Sequence, residues 1–479
     1  MNLTGQGLEQ SRLYGTLKHQ RFLNITMSSL SFQRPDRVVL VGFGLVGPAL
    51  VPLLIKELDI LPGQITAIAA DKNGTGDASR LGIAHLCLPL TESNFAEVLA
   101  EFATQGDWII NVSVDVSSLA LIEWSRDNGV NYLDTCVEPW PGGYAGQDVG
   151  ATTNYELRRR ALELSEEGAP TAVIAHGANP GLITHLAKEG LLRIAAEFGI
   201  PFDGDWAQLA ECCGVRVIQI AEYDSQRTGR APLLGEFVNT WSVHGFLSEL
   251  RQQAEIGWGT HEPSWPTGAS GHNQGDRSSI YLTTRGVDTP VHSWAPAVGP
   301  VSALAVPHHE ASSLTSLLTV RTAQEVVYRP TVYYAYHPSP MTLASIEQWK
   351  ANNYRPPYSS TVVRDEIRDG SDDLGLLFLT TKGGFWYGSR LETNEARSLA
   401  ACNSATSLQV AAGIVGALKW MMLNPNRGVV EAEDMDHEVV LDVARSYLGS
   451  LRFLRTDWTP GAQGDMTFET FLIKKGVDA

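Results

Sequence analysis

Apolar and polar positions along the first part of this chain form blocks that predict strands and helices in turn. Residues 37–58 (RVVLVGFGLVGPALVPLLIKEL) have the pattern of a buried strand, a glycine turn and an amphipathic helix, and residues 65–71 (ITAIAAD) that of a second strand. Further strands are predicted at 107–114, 131–135 and 171–177, and helices at 93–104, 117–130, 155–168 and 178–199. This alternation indicates an α/β fold with a doubly wound parallel sheet of the Rossmann type.

The pattern changes after residue 205. Short strand-like segments then predict a second, α+β domain with a mixed or antiparallel sheet; they lie at 214–224, 329–338, 359–367 and 374–381. Residues 257–300 are rich in Gly, Pro, Ser and His and predict long surface loops. Residues 393–423 carry one long helical pattern that Thr393 or Asn394 can cap and that Pro425 follows.

These changes divide the chain into four segments, because 479 residues are too many for one hydrophobic core. Residues 1–34 are predicted to be a disordered extension. Residues 35–178 form the doubly wound domain and residues 179–390 the second domain. Residues 391–479 form a C-terminal helical segment that we expect to pack back on the first domain.

Composition narrows the classes of function. Hydrophobic residues at 43% and charged residues at 19% are ordinary for a soluble globular protein. The formal charge of −17 argues against a nucleic-acid partner, and the absence of an apolar run of membrane-spanning length argues against a membrane protein. Five cysteines without a CxxC pair fit reduced thiols, which favours a cytoplasmic location.

The glycine turn has the spacing of a dinucleotide-binding motif. Gly42, Gly44 and Gly47, with Leu45 and Val46 between the last two, follow a strand and open a helix. The first glycine permits the tight turn, the second lets a pyrophosphate approach the backbone, and the third allows close packing of helix and strand. The helix N-terminus adds amide N–H groups for the phosphates. A tight turn without nucleotide is the alternative.

Asp71 ends the second predicted strand and completes the motif. Its carboxylate can accept both ribose hydroxyls of an adenosine, and its charge would repel a 2′-phosphate. The sequence therefore favours NAD as the cofactor over NADP, although Lys72 follows directly.

Other polar side chains follow predicted strands of the first domain. Asp115, Asp134 and Glu138 lie at or just beyond strand ends, where parallel sheets bind ligands. For each of them, a helix cap or a solvated loop carboxylate is the alternative. Asn179, in the turn HGANPG, could position a substrate or the carboxamide of a nicotinamide.

The second domain contributes an aromatic and an acidic candidate. Trp241 lies among polar neighbours in VNTWSVHGF, and the face of a tryptophan attracts cations by about 0.5–2 kcal/mol. Packing in a core is the more common use of a tryptophan. Glu222 directly follows an apolar strand in AEYDSQ.

A cluster of His and Glu occurs in PHHEAS, where His308, His309 and Glu310 are adjacent. It lacks the spacing of HExxH and a third ligand, so we predict no metal site and favour acid–base or amine-anchoring roles. Asp372 and Asp373 precede another strand.

Together these motifs resemble one family. VGFGLVG, DTCVEPW, HGANPG, AEYDSQ, VNTWSVHGF, PHHEAS, DDLG and CNSATSLQV resemble, in this order, the motifs of the bacterial homospermidine synthases over residues 36–475. By fold, that family is similar to saccharopine-dehydrogenase-like reductases.

The resemblance implies an NAD-dependent conversion of two putrescines to homospermidine and ammonia, with spermidine as an alternative donor, NAD being reduced and reoxidised within the cycle. It implies a homodimer in which residues 179–390 hold substrate and dimer contacts. It also implies that the catalytic residues are Glu222, Trp241, His308, Glu310 and Asn179, with Trp241 as the cation–π partner. The substrate-binding residues that it implies are Asp115, Glu138 and Asp373. His309 departs from the family pattern, which leaves open whether His308 or His309 acts.

Two alternatives remain open at this stage. A reductase similar to saccharopine or carboxynorspermidine dehydrogenase would need a basic anchor for its carboxylate substrate, whereas the motifs are mostly acidic and aromatic apart from Arg227. An NAD-binding sensor or scaffold without catalysis is the other, and the acid–base candidates argue against it.

Overall fold

In the computed structural model, which describes residues 34–145, 148–461 and 465–474, the first sheet is parallel. Strands and helices are numbered in chain order. The sheet order is β22-β6-β5-β4-β1-β2-β3, with β1 Val38–Val41, β2 Ile65–Ala69, β3 Ala84–Cys87, β4 Trp108–Asn111, β5 Asn131–Asp134, β6 Ala172–Val173 and β22 Val429–Val430. The predicted extension at 1–34 lies outside the described residues except for its last one.

Helices connect these strands because apolar runs alternate with amphipathic segments along the chain. They are α1 Val46–Leu58, α2 Thr75–Leu81, α3 Phe95–Phe102, α4 Ser118–Asn128 and α5 Asn154–Leu162. Ser117 shows the local cause for α4, since its hydroxyl accepts the amide of Ala120. Gly129 then ends that helix in the left-handed conformation, with φ of 71°.

The second domain is built on a mixed sheet with the path β11-β12-β10-β17-β7-β20-β21-β23, and β14 and β13 extend from β17. Its strands are β7 Val215–Asp224, β10 Gln253–Gly257, β11 Ser270–Gly271, β12 Ser279–Arg285, β13 Pro290–Ala295, β14 Gly299–Val306, β17 Thr331–His337, β20 Ser371–Thr380, β21 Gly383–Glu392 and β23 Ser450–Thr456. Short pairs are formed by β8 Arg227–Thr228 with β19 Ile367–Asp369, β9 Glu236–Asn239 with β18 Ser359–Val362, and β15 Val320–Arg321 with β16 Val326–Tyr328.

The remaining helices are α6 Leu182–Phe198, α7 Trp206–Cys212, α8 Val243–Arg251, α9 Glu310–Leu317, α10 Pro340–Ala351, α11 Thr393–Leu399, α12 Ala405–Leu423, α13 His437–Ala444 and α14 Phe468–Phe471. Among them, α12 packs against α1 and α13, and α6 packs against β20 and β21. One continuous apolar core therefore joins both domains.

The register of the second sheet decides which side chains face that core. Across the antiparallel β7–β20 pair, Glu222 lies opposite Leu374, Asp224 opposite Asp372, and Tyr223 opposite Asp373. Because successive side chains of a strand alternate between faces, Glu222, Asp224 and Asp372 share one face and Asp373 lies on the other.

Two predictions of local structure hold only in part. The long loops predicted within residues 257–300 are present over most of residues 258–278, interrupted by β11, whereas the residues from 279 onward form β12, β13 and the start of β14 and lie in the sheet. Residues 393–423 are not one helix: α11 ends at Leu399, and α12 starts at Ala405 after Ser404, whose side chain caps it through the amide of Ser407. Glu392 rather than Thr393 or Asn394 precedes α11 as its cap residue.

The C-terminal segment joins both domains. Within residues 391–479, β22 extends the first sheet and β23 extends the second. Helix α12 has 19 residues and a mean hydropathy of 1.3, so by length and composition alone it could cross a membrane. However, 83% of its apolar stretch is buried inside the protein. This burial is the pattern of a core helix.

Candidate functional site

The glycine turn after β1 forms a cradle for a dinucleotide. Gly42 has φ of +90°, and a Cβ there would lie 2.9 Å from the amide nitrogen of Ser113, so the position requires glycine. A Cβ on Gly47 would lie 2.4 Å from the ring of Phe43. In contrast, a Cβ on Gly44 would meet nothing within 4 Å, because the turn opens to free space there.

The surroundings of this turn suit phosphate and ribose. The first turn of α1, which includes Val46 and Gly47 and follows Leu45, has no acidic residue and no side-chain cap, so its N-terminal amides are available to an anion. The loop after β2 packs on the glycine turn, since a Cβ on Gly74 would lie 2.5 Å from the carbonyl of Phe43. Asp71, in that loop, is exposed. These features fit NAD at the positions that the motif predicts.

A narrow cavity lies beyond the carboxyl ends of β5 and β6. Glu138, Asn154 and Pro180 line it from the first part of the chain, and Glu249, His308 and His309 line it from the second. A wider cavity of about 350 Å³ adjoins it and shares Tyr144, Ser248 and Gln252 with it. The lining residues that the structure describes in the narrow cavity include no lysine or arginine.

Two carboxylates of the narrow cavity are buried. Burial raises the pKa of Glu138 to about 8, although Tyr144 donates a hydrogen bond to it at 3.2 Å. Burial likewise raises the pKa of Glu249 to about 7, and its Oε2 has no hydrogen-bond partner among the described residues. A buried carboxylate is costly when it is charged and alone, so a bound cation stabilises its charged form.

Glu222 lies beside this cavity, at the end of β7. The hydroxyl of Tyr334 donates to its Oε2 at 2.7 Å, and the ring of Tyr334 lies 4.7 Å from that of His308. Burial, helped by the charge of Asp224, raises the pKa of Glu222 above its ordinary value. Glu222 can therefore exchange a proton near neutral pH.

The two histidines of PHHEAS have different partners. Nδ1 of His308 lies 2.7 Å from Oε2 of Glu310. Burial acts to lower the pKa of His308, but the charge and hydrogen bond of Glu310 outweigh it and the pKa is raised. His309 contacts Glu431 at 3.3 Å instead, and Glu431 forms a buried ion pair with Arg158. His308, not His309, is thus the histidine beside Tyr334 and Glu222.

Trp241 lies just before α8 and contacts β17 through Tyr336. Its Nε1 donates to the hydroxyl of Tyr336 at 3.3 Å, and its ring lies 4.9 Å from that of Phe246. Tyr336 stacks on Tyr334, with 5.4 Å between the ring centres. Tyr336 and Tyr334 therefore connect the indole to Glu222.

Asn179 lies beside Glu222, whereas Asp115 lies beside a residue of the wider cavity. The side chain of Asn179 faces Glu222, and its polar atoms are buried without a hydrogen-bond partner of normal geometry among the described residues. Asp115 is 43% exposed and lies 2.9 Å from Nε2 of His244, which lines the wider cavity.

The structure does not bring Asp373 to the cavity. It lies on the opposite face of the second sheet, where Nη1 of Arg390 contacts its carboxylate at 3.2 Å. Asp372 occupies the face of Glu222 instead.

Sequence reasoning missed three residues of the site, Glu249, Tyr334 and Tyr336, and it chose Asp373 for the site in place of its neighbour Asp372. The alternation Tyr334–Ala335–Tyr336 within an apolar strand was a signal, because it places two hydroxyl groups on one face. Glu249 gave none, since a single Glu near the end of an amphipathic helix is usually solvated.

A dinucleotide cradle beside a buried acidic cavity, on these two sheets, defines a reductase-like enzyme of the saccharopine dehydrogenase type. Residues 38–175 match the family model for the saccharopine dehydrogenase NADP binding domain, and residues 177–453 match that for the saccharopine dehydrogenase C-terminal domain. The saccharopine dehydrogenase (L-Glu forming) of Saccharomyces cerevisiae shares the fold, with a TM-score of 0.51 at 12% identity over 88% of this chain and 100% of its own. The predicted fold class is confirmed.

More similar proteins narrow the family. The homospermidine synthases of Mesorhizobium japonicum and Blastochloris viridis are each 38% identical to this chain. Both matches cover 88% of this chain, and they cover 91% and 92% of the two relatives, respectively. The crystal structure of the homospermidine synthase of Legionella pneumophila in complex with NAD has a TM-score of 0.87 at 39% identity, and covers 92% of this chain and 98% of its own. The chain belongs to the homospermidine synthase family, and the resemblance of its motifs is confirmed.

Proposed function

We propose that this chain converts two putrescines to homospermidine and ammonia with NAD, and that spermidine can serve as an alternative aminobutyl donor. The observation that carries the proposal is the narrow cavity, which is lined by the buried carboxylates of Glu138 and Glu249 and by no described lysine or arginine. Putrescine is a dication at neutral pH, and its burial requires compensating carboxylates. Such a cavity favours a diamine over an amino acid.

The cradle of Gly42, Gly44 and Gly47 would hold the pyrophosphate of NAD, and Asp71 the ribose of its adenosine. Bound there, NAD supplies a hydride acceptor for the carbon that bears the reacting amine and afterwards a hydride donor to the new imine. The protein must therefore keep the cofactor in place throughout a redox-neutral cycle.

The side chains around the cavity have separate tasks in this proposal. Glu138 and Glu249 bind ammonium groups. Glu222 takes the proton of the reacting amine, because only a neutral amine can be oxidised or attack an imine. Glu310 holds the His308 imidazole as a second group for acid–base work.

Trp241 stabilises the cationic iminium without reacting with it, since the face of an indole attracts cations and is not nucleophilic. The site must also exclude water, because an imine that meets water hydrolyses to an aldehyde. Glu222 and His308 are each 8% exposed, and the unpartnered Oε2 of Glu249 is enclosed by protein. This burial supports the exclusion of water.

Among the described residues, the narrow cavity has no lysine or arginine side chain that could anchor the carboxylate substrate of the alternative reductase. A substrate with carboxylates would need an unpaired guanidinium or ammonium in the cavity. Arg227, the basic residue of the pocket motifs, is instead exposed and paired with Asp369 at 2.9 Å. Arg251 lines only the wider cavity and stacks on Trp349.

The deciding experiment incubates the purified protein with putrescine and NAD and measures homospermidine by mass spectrometry. We expect homospermidine and ammonia in equal amounts and no net formation of NADH. Accumulation of NADH without homospermidine would establish a dehydrogenase, and binding of NAD without any product would establish a sensor.

We also propose a homodimer with its contacts in residues 179–390, and a cytoplasmic location. The family resemblance supports the first, and the second is supported by five free cysteines, of which Cys87 and Cys212 are exposed. Sedimentation of the purified chain tests the dimer. The strong negative charge supports the absence of a nucleic-acid partner.

A further inference from the structure

Three buried carboxylates share one face of the second sheet and form what we call the carboxylate trio, consisting of Glu222, Asp224 and Asp372. Glu222 and Asp224 are two residues apart on β7, and Asp372 pairs with Asp224 across the antiparallel β20. They are 8%, 1% and 1% exposed, respectively. Only Glu222 has a task in the reaction proposed above.

The side-chain donors to the two aspartates are neutral. Thr240 donates to Asp224 at 2.7 Å, and the side-chain amide of Gln226 reaches the same carboxylate at 3.1 Å. That amide also donates at 2.9 Å to the hydroxyl of Thr406, which in turn donates to Oδ2 of Asp372. Oδ1 of Asp372 is buried without a partner among the described residues.

Carboxylates so close together and so deeply buried cannot all be ionised without a cation. Burial and the charges of the other two members raise the pKa of Asp372 well above its usual range. Burial also raises the pKa of Asp224. The trio therefore titrates as a unit and not as three separate acids.

The groups that face Glu222 come from several elements of the fold. His308 and the hydroxyl of Tyr334 favour its charged form, as does the amide of Asn179. Asp224 and Asp372 oppose it. Tyr336 faces all three carboxylates and accepts a hydrogen bond from Trp241, so Tyr336 connects the trio to the indole.

The reaction proposed for this site needs a place to hold protons. Each turnover begins with two ammonium groups that must each lose a proton, one before its carbon is oxidised and one before its nitrogen attacks. Ammonia leaves as the new C–N bond replaces the old one. The secondary amine that forms and the departing ammonia then take up the two protons, so none is consumed.

We propose that Asp224 and Asp372 are positioning residues that act through Glu222. As a buried trio they hold at least one proton at neutral pH and keep Glu222 ready to exchange protons with entering amines. This inference rests on the proposed function for its chemistry, but the protonation of the trio can be measured without turnover.

Infrared spectroscopy of the whole protein tests the protonation. At pH 7.5 the wild type should show the C=O band of a protonated carboxylic acid that shifts when the aspartates are labelled with ¹³C and that disappears in Asp372→Asn. No aspartate-dependent band in the wild type would overturn the inference, whether or not any variant folds.

The pH profile of kcat/KM for putrescine tests the coupling to Glu222. Removal of a like charge lowers the pKa of its neighbour, so Asp224→Asn should move the acidic limb of the profile to lower pH by about one unit. Glu262→Gln is the matched control, a buried carboxylate that contacts Thr331 at 2.6 Å away from the cavity, and should leave the limb in place. An unmoved limb in Asp224→Asn overturns the inference, whereas failure of the wild type to form homospermidine overturns the proposed function.

Discussion

The indole nitrogen of Trp241 donates to the hydroxyl of Tyr336 at 3.3 Å, and this contact fixes the plane of the indole beside a buried acidic region. Phe246 supports the ring from another side at 4.9 Å. Because Tyr336 belongs to β17 and Phe246 to α8, the orientation of the indole is set by two elements of the second domain. A fixed aromatic face next to carboxylates is a suitable site for a cation.

Replacement of Trp241 should therefore slow turnover. We expect Trp241→Ala to lower kcat by about 10-fold or more, which corresponds to the loss of about 1.4 kcal/mol of cation–π stabilisation. Trp241→Phe should keep an intermediate activity, since a benzene ring has the weaker quadrupole. Trp265→Ala is the control, because Trp265 is 52% exposed. Homospermidine formation measured by mass spectrometry checks this, and wild-type kcat in Trp241→Ala would contradict it.

The hydrogen bond from Tyr334 predicts a shift of the pH profile in the opposite direction from that of Asp224→Asn. A donor to a carboxylate stabilises the charged form, so its loss in Tyr334→Phe raises the pKa of Glu222. Because the proposed base acts when deprotonated, the acidic limb of kcat/KM should move to higher pH. Tyr333→Phe is the matched control, since Tyr333 lies on the other face and its hydroxyl accepts from Gln219 at 2.6 Å. A shift in both variants would mean that the effect is not specific to Glu222.

Loss of the Glu222 carboxylate should be more severe than either change. We expect Glu222→Gln to lower kcat by about 100-fold or more, as is typical when a general base is removed. Rapid-mixing measurements of homospermidine formation at several pH values check this. A normal kcat would move the role of base to another group, with His308 as the next candidate.

Glu138 should weaken the fold at alkaline pH. Burial raises the pKa of Glu138 in the folded state to about 8. In the unfolded state the carboxyl has its ordinary pKa, so between these two values the folded state keeps a proton that the unfolded state has lost. The free energy of unfolding therefore falls as pH rises from about 4.5 to 8, and Glu138→Gln should remove this loss. We expect its Tm at pH 8.5 to exceed that of the wild type by about 3 °C, and its KM for putrescine to rise.

Calorimetry at pH 8.5 and pH 5 measures this difference, which should be smaller at the lower pH because the folded and unfolded states then differ less in ionisation. Glu167→Gln, at an exposed position, is the control. Equal Tm values for Glu138→Gln and wild type at pH 8.5 would show that Glu138 is not held at an electrostatic cost.

Local pattern was sufficient to predict the doubly wound sheet, because buried strands, glycine turns and amphipathic helices each leave a signal within about twenty residues. It was also sufficient to single out Glu222, a carboxylate late in an apolar strand, and Trp241, an aromatic residue among polar neighbours, as candidates. It could not predict which of Asp372 and Asp373 faces the cavity, because one residue of register exchanges the two faces of a strand. Glu249 could not be found either, since its burial results from the packing of α8 over the cavity.

The position of Asp373 leads to a prediction of its own. Its carboxylate contacts Arg390 on the face away from Glu222, so Asp373→Asn should change the KM for putrescine by less than about twofold. Steady-state kinetics with putrescine measures this. A tenfold increase in KM would return Asp373 to the substrate site and would require a different register for β20.

The glycine turn allows the binding of NAD to be separated from folding. Gly42 is required by its positive φ and by the nearby amide of Ser113, so its substitution would destabilise the turn itself. Gly44 has neither constraint, and a Cβ there would extend into open space. Gly44→Ala should therefore keep the wild-type Tm but increase the Kd for NAD about tenfold, because the Cβ would occupy the path by which a pyrophosphate approaches the backbone. Gly63→Ala, at another glycine with nothing within 4 Å, should change neither quantity. Calorimetric titration with NAD distinguishes the roles: wild-type affinity in Gly44→Ala would mean that the turn serves only to join a strand to a helix.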